Sequence, residues 1–170
     1  MEVKSKKDIL TGAAPLHCWD IFIYGYRRRL EFSGDLQRLQ SIQKQFNWSE
    51  PPVSPGYALI WLNKVVIITG ITLQIIHATE NIYAMNGYES TEVIGNRPSM
   101  FQGRDSADVP RKIMRAGIDS RQPFETVITN YKKDGTPYEC YIKGYPIFNK
   151  NGVLVNYMAF ESNISTLRKL

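Results

Sequence analysis

The side chains able to do chemistry in this sequence are few and far apart. The two cysteines, Cys18 and Cys140, have neither metal-ligand spacing nor the numbers for a disulfide framework. The two histidines, His17 and His77, are equally isolated. Serines and acidic residues are present, yet no nucleophile elbow, phosphate-cradling glycine loop or metal-binding pair organises them. Glu139 and Glu161 are the nearest to working carboxylates, and both fall in strand-like stretches with no catalytic motif around them. Cys140 reads as a small buried hydrophobe, because a reactive thiolate needs nearby cations to lower its pKa. His77, close to a strand end, reads as a structural histidine. These residues support binding rather than catalysis.

Composition narrows the classes further. With 170 residues, 43% hydrophobic and 22% charged, the chain suits one domain with an extension and a real core. No apolar run approaches the ~20 residues that cross a bilayer. The start, Met1 to Lys7, is charged and no apolar signal segment directly follows it, so a cytoplasmic protein without a membrane partner is expected. The net charge is +5, and Arg27-Arg28-Arg29 is the dense basic cluster. A nucleic-acid surface needs a broader stripe with stacking aromatics, so this cluster reads as a solvated helix face. Asn47-Trp48-Ser49 and Asn163-Ile164-Ser165 match the glycosylation pattern, which matters only in a secreted protein.

The elements that must position a binding site change character midway along the chain. Leu16 to Leu30, with Trp19, Phe22, Ile23, Tyr24 and Tyr26, predicts a helix between Pro15 and Gly34. Apolar residues surround most of it, which implies burial on more than one side. A second helix carries Leu36, Leu39, Ile42 and Phe46 on one face, with Asp35 as its expected N-cap. The prolines at 51, 52 and 55 then interrupt the helical pattern. Residues 1–50 are thus a helical extension, 51–56 a linker, 57–165 the main domain and 166–170 a tail.

Beyond the linker the period becomes that of strands. Lys64 to Thr69 and Thr72 to Ala78 predict a hairpin, and Glu80 to Asn86 a short helical turn ended by Gly87. Ser106 to Ser120 predicts a longer helix, with Pro110 tolerable only in its first turn. Phe124 to Lys132, Tyr138 to Phe148 and Val153 to Glu161 predict three strands, joined by turn signals at Asp134-Gly135 and Asn151-Gly152. This order gives an α+β fold: a five-stranded antiparallel sheet with helices on one face, plus the N-terminal helical extension.

Residues 57–165 carry an ordered set of motifs that resembles the PAS family. Asn86-Gly87-Tyr88 with Glu92-Val93-Ile94-Gly95 is similar to the segment after the family's first helix. Asn130-Tyr131-Lys132-Lys133-Asp134-Gly135-Thr136-Pro137-Tyr138 resembles its central hairpin, and Tyr145-Pro146-Ile147 its next strand. Ser162-Asn163-Ile164-Ser165 resembles the closing element, with Asn163 where aspartate is usual. Bottom-up, the glycines serve turns and Tyr88 and Tyr138 pack in the core. The resemblance implies a sensory or protein-docking module without catalysis of its own.

Gly95 to Gly103 and Asn130 to Tyr138 also resemble the light-oxygen-voltage subgroup, whose reactive cysteine adds to a photoexcited flavin. Pro98 stands at that cysteine's position, so no such bond can form there. Arg97, Ser99, Cys140 and Glu161 replace residues of the flavin-binding pattern, while Gln102, Asn130 and Arg115 keep matching positions. A buried polar group left unpaired costs about 1–3 kcal/mol, so these losses oppose flavin. The resemblance therefore implies a candidate pocket of Arg97, Gln102, Arg115, Asn130, Cys140 and Glu161. It specifies no firm cofactor, and non-covalent flavin is the alternative it raises. Haem is not implied, because neither His17 nor His77 lies on the 106–120 helix. The expected partners are a second copy, through the N-terminal helices and sheet, and a signalling protein.

Overall fold

A computed structural model describes residues 14–165, with side chains from residue 19 onward. The charged start, the His17 and Cys18 side chains and the 166–170 tail lie outside the described residues. Two helices come first among the described residues, α1 (Ala14–Glu31) and α2 (Ser33–Gln45), followed by a short α3 (Pro55–Leu62). Strands β1 (Val65–Gly70) and β2 (Ile75–Ala78) lead into α4 (Ile82–Asn86), α5 (Ser90–Val93) and a 3-10 turn over Pro98–Phe101. Helix α6 (Asp108–Ser120) precedes β3 (Phe124–Tyr131), β4 (Pro137–Phe148) and β5 (Leu154–Asn163). The five strands form one antiparallel sheet in the order β2-β1-β5-β4-β3.

Strand alternation divides the core between the two sheet faces. The inner face presents Val65, Ile67, Ile128 and Ile142, packed against Met85, Val93 and Phe101. The outer face presents Val66, Ile68, Ile147 and Phe160, packed against Phe32, Leu39, Ile42, Trp48 and Leu59 of the N-terminal region. The helices between β2 and β3 thus cover one face, as expected, and the N-terminal extension covers the other. Two turns that close the later hairpins place Gly135 and Gly152 at φ +84° and +75°, where a side chain would be strained. Gly87, at φ +79°, caps α4 by donating its N–H to the Tyr83 carbonyl at 2.8 Å.

The N-terminal region departs from the sequence expectation in four ways. Gly34 lies inside α2, and the break between helices falls at Phe32, which is itself buried. Asp35 does not cap α2; it sits in the first turn, buried, and accepts the Glu80 N–H at 2.9 Å through Oδ2. The α1 side chains from Trp19 to Leu30 expected to be buried on several sides are exposed, Trp19 and Phe22 by 63% and 64%. Residues 55–62 form a helix rather than a linker end, because Ser54 Oγ accepts the Tyr57 N–H and Pro55 preorganises the first turn. Buried Trp48 donates Nε1–H to Asn156 Oδ1 at 2.8 Å, and Asn156 in turn donates to the Thr69 carbonyl at 3.1 Å. The extension is stitched into the sheet.

Candidate ligand cavity

A cavity of about 320 Å³ lies between α6 and the inner face of the sheet. Its floor comes from alternate residues of the central strands: Ile67 and Thr69 on β1, Ile142 and Gly144 on β4, Tyr157, Ala159 and Glu161 on β5. Register produces this grouping, because Ile67 pairs with Ala159, Thr69 with Tyr157 and Ile142 with Glu161. Met114 and Ile118 of α6 form the opposite wall. Tyr157 fixes that wall by donating its hydroxyl to the Ile118 carbonyl at 2.9 Å. Such volumes sit at the small end of the roughly 300–1,000 Å³ of ligand pockets.

Four of the six expected residues, Arg97, Gln102, Arg115 and Glu161, meet at this cavity. Asn130 and Cys140 are not in its lining. They lie further along β3 and β4, where Phe101, Ile128 and Tyr138 fill the space beneath the sheet. Both are buried, and Cys140 donates its thiol toward Glu161 Oε2 at 3.5 Å. Asn130 is bridged through its backbone to Gln102, while its side-chain oxygen is buried without a hydrogen bond. His77 is buried on β2, its Nε2 at 3.5 Å from Asp35 Oδ1 and without a hydrogen bond.

Charge is distributed unevenly around the cavity. Arg97 and Arg115 are exposed at its mouth. Arg111 stands beside them, donating to the Gly103 carbonyl at 3.3 Å, with its buried Nε unpartnered. At the inner end Glu161 is 3% exposed, and burial pushes its carboxyl up to about 7, against a small opposing effect of the Cys140 hydrogen bond. Burial, reinforced by that carboxyl, holds the Cys140 thiol well above its usual range. Tyr138 is pushed up in the same way. The inner end therefore favours neutral, proton-bearing groups and the mouth favours anions.

Sequence reasoning missed Phe124, Gly117 and Gly144. The Phe124 ring packs so closely over both glycines that a Cβ on either would fall well inside van der Waals contact. A glycine in mid-strand opposite an aromatic is the signal that marks such an approach.

Among the described residues, no helix is long and apolar enough to cross a membrane, and no cluster of His, Cys, Asp or Glu could hold a metal. One antiparallel sheet, clad on both sides and enclosing a mixed apolar and polar cavity, defines an α+β domain. Residues 63–166 match the PAS domain family, and the chain belongs to it: a sensory and signalling module. Phototropin-2 of Oryza sativa subsp. japonica is 27% identical over 111 residues, covering 64% of this chain and 12% of that protein. A blue-light-activated histidine kinase of Brucella anthropi is 29% identical over 91 residues, covering 54% and 18%. The chain thus spans less than a fifth of either relative. A light-oxygen-voltage domain studied with a flavin analogue shares the fold at a TM-score of 0.62 and 22% identity, over 69% of this chain and 89% of that one. The light-state Aureochrome1 LOV domain superposes at 0.59 and 22%, over 68% and 92%.

These relatives raise the question of flavin. Pro98 lines the cavity where a thiol would be needed, and the Cys140 thiol is outside the lining. Phe124 narrows the space over Gly144, and the Asn130 amide is not available to a ring edge in the cavity. Of the six expected residues, only Gln102 and Glu161 remain in the lining beside the two arginines. The set fits a flavin poorly.

Proposed function

We propose that the cavity binds, reversibly and without a covalent bond, a small molecule with an apolar body and an anionic end. The convergence of Arg97 and Arg115 at the mouth with a buried, protonatable Glu161 at the inner end supports this reading most directly. The arginines would take the anion, and Glu161 in its neutral form would donate one hydrogen bond to the ligand's far end. No reaction is assigned, and the module signals by changing its contacts with a protein partner. Native mass spectrometry and an absorption spectrum of the purified protein test it. The expected result is a co-purifying small anion, or a thermal shift with medium-chain carboxylates that is lost in Arg97→Ala/Arg115→Ala. Retention of flavin mononucleotide with a reversible blue-light bleach would overturn both the ligand class and the absence of thiol chemistry.

A second reading concerns self-association. The outer sheet face, an expected dimer surface, is occupied by the chain's own α2 and α3. The exposed apolar side chains of α1 remain, and they support a homodimer formed through that helix. Sedimentation of the whole chain tests it, and a monomer at about 100 µM would end it.

A further inference from the structure

We infer that α1 pairs with the α1 of a second copy in antiparallel orientation, as a short two-stranded coiled coil; this rests on the self-association reading above. Trp19, Ile23, Tyr26 and Leu30 follow one another at intervals of four, three and four residues. That alternation is the a/d seam of a heptad. All four are exposed, between 43% and 63%. In the second half of the helix the opposite side is already engaged, although Ile21 and Tyr24 are exposed. Gly25 is buried so closely against Trp61 that a Cβ would clash with the ring, and Arg28 donates to Asn63 Oδ1 at 2.5 Å and to the Leu59 carbonyl. The seam therefore points away from the domain on which α1 rests.

The charges beside the seam select the orientation. Asp20 and Arg27 follow the seam residues Trp19 and Tyr26 on one flank; Phe22 and Arg29 precede Ile23 and Leu30 on the other. None of Asp20, Arg27 and Arg29 makes an ion pair among the described residues. In an antiparallel pair, Trp19 meets the second copy's Leu30 and Ile23 meets its Tyr26. The interval between Trp19 and Ile23 then faces the interval between Tyr26 and Leu30. Asp20 comes to lie opposite Arg27, and Phe22 opposite Arg29, each twice by symmetry. One flank gains ion pairs and the other gains guanidinium-on-ring contacts. A parallel pair would instead set Arg27-Arg28-Arg29 of both copies at the same level and leave Asp20 without a basic neighbour. Like-charge juxtaposition opposes that arrangement.

Charge reversal in the full chain tests the orientation by sedimentation equilibrium, with circular dichroism confirming the fold. Asp20→Arg alone and Arg27→Asp alone should each weaken the dimer about tenfold. Asp20→Arg/Arg27→Asp together should restore it to within about threefold of the parent, because the pairs are re-formed with reversed sign. A dimer indifferent to the single changes, or weakened further by the double change, overturns antiparallel pairing while leaving self-association standing. A parent chain that stays monomeric to about 100 µM overturns both.

Discussion

Glu161 is the side chain whose environment most changes its behaviour. Burial raises its carboxyl from 4.5 to about 7, so between those values the folded chain holds a proton that the unfolded chain releases. Stability contributed by this group is therefore fully present below pH 4.5 and is lost as pH rises from there through 7. Glu161→Gln removes that dependence. The variant should match the parent near pH 5 and exceed it by about 1–3 kcal/mol at pH 8, measured as the difference in denaturant unfolding. An unchanged difference across that range would show that the carboxyl is solvated. Gly144 gives a second residue-scale expectation. A methyl there meets the Phe124 ring, so Gly144→Ala should either cost about 1–3 kcal/mol or swing the ring into the cavity and block ligand. A stable variant that still binds ligand would refute the packing argument. Arg97, Gln102, Arg115 and Glu161 were reached through the resemblance to the light-oxygen-voltage pattern, and all four line the cavity. Phe124 was not, since its role depends on the register that pairs it with Gly144. Asn130 and Cys140 misled for a related reason: an inward strand position brings a side chain into the core, not necessarily into the cavity.

At the scale of elements, the fold's strands were legible and its N-terminal helices less so. Alternation and the turn pairs Asp134-Gly135 and Asn151-Gly152 specify β3 to β5 locally, and local signals survive in a single sequence. Asp35 shows the opposite case. As a residue before an apolar helix it has the signature of a cap, but docking of α2 on the sheet buries it beside His77 and the β2–α4 junction. Burial raises its carboxyl to about 6, despite the backbone hydrogen bond from Glu80, and lowers His77 to about 4. The two oppose each other. Raised Asp35 favours the fold as pH falls toward 3.8, whereas depressed His77 costs stability as pH falls from 6.5 to 4. Asp35→Ala leaves the Glu80 N–H without its acceptor and should cost about 1–3 kcal/mol at pH 7. Asp35→Asn retains an acceptor oxygen, so it should cost less, and with the carboxyl gone the His77 loss between pH 6.5 and 4 becomes visible in melting temperature. Equal losses for the two variants would place the role of Asp35 in packing rather than in that hydrogen bond.

For the whole molecule, the decisive property is that the N-terminal region is two things at once. Its α2, α3 and the segment between them are structural, closing the outer sheet face with Leu39, Ile42, Leu59 and Trp48, while α1 leaves its apolar seam outside. A chain beginning at Pro55 would keep α3 but uncover the area held by Phe32, Leu39, Ile42 and Trp48. Burying each such side chain is worth about 1.5–3 kcal/mol, so their joint removal approaches the 5–15 kcal/mol by which a domain is stable. The truncated chain is therefore expected to lose its cooperative melt or to aggregate through the bared Val66, Ile68 and Phe160 surface. Near-ultraviolet circular dichroism and dye binding to exposed apolar surface measure this. A truncated chain that stays monomeric, binds no dye and melts within a few degrees of the parent would show that the sheet is self-sufficient. The sheet carries the cavity-lining residues on one side and the residues that bear α2 and α3 on the other, and neighbouring residues of β5, such as Ala159 and Phe160, face the two sides in alternation.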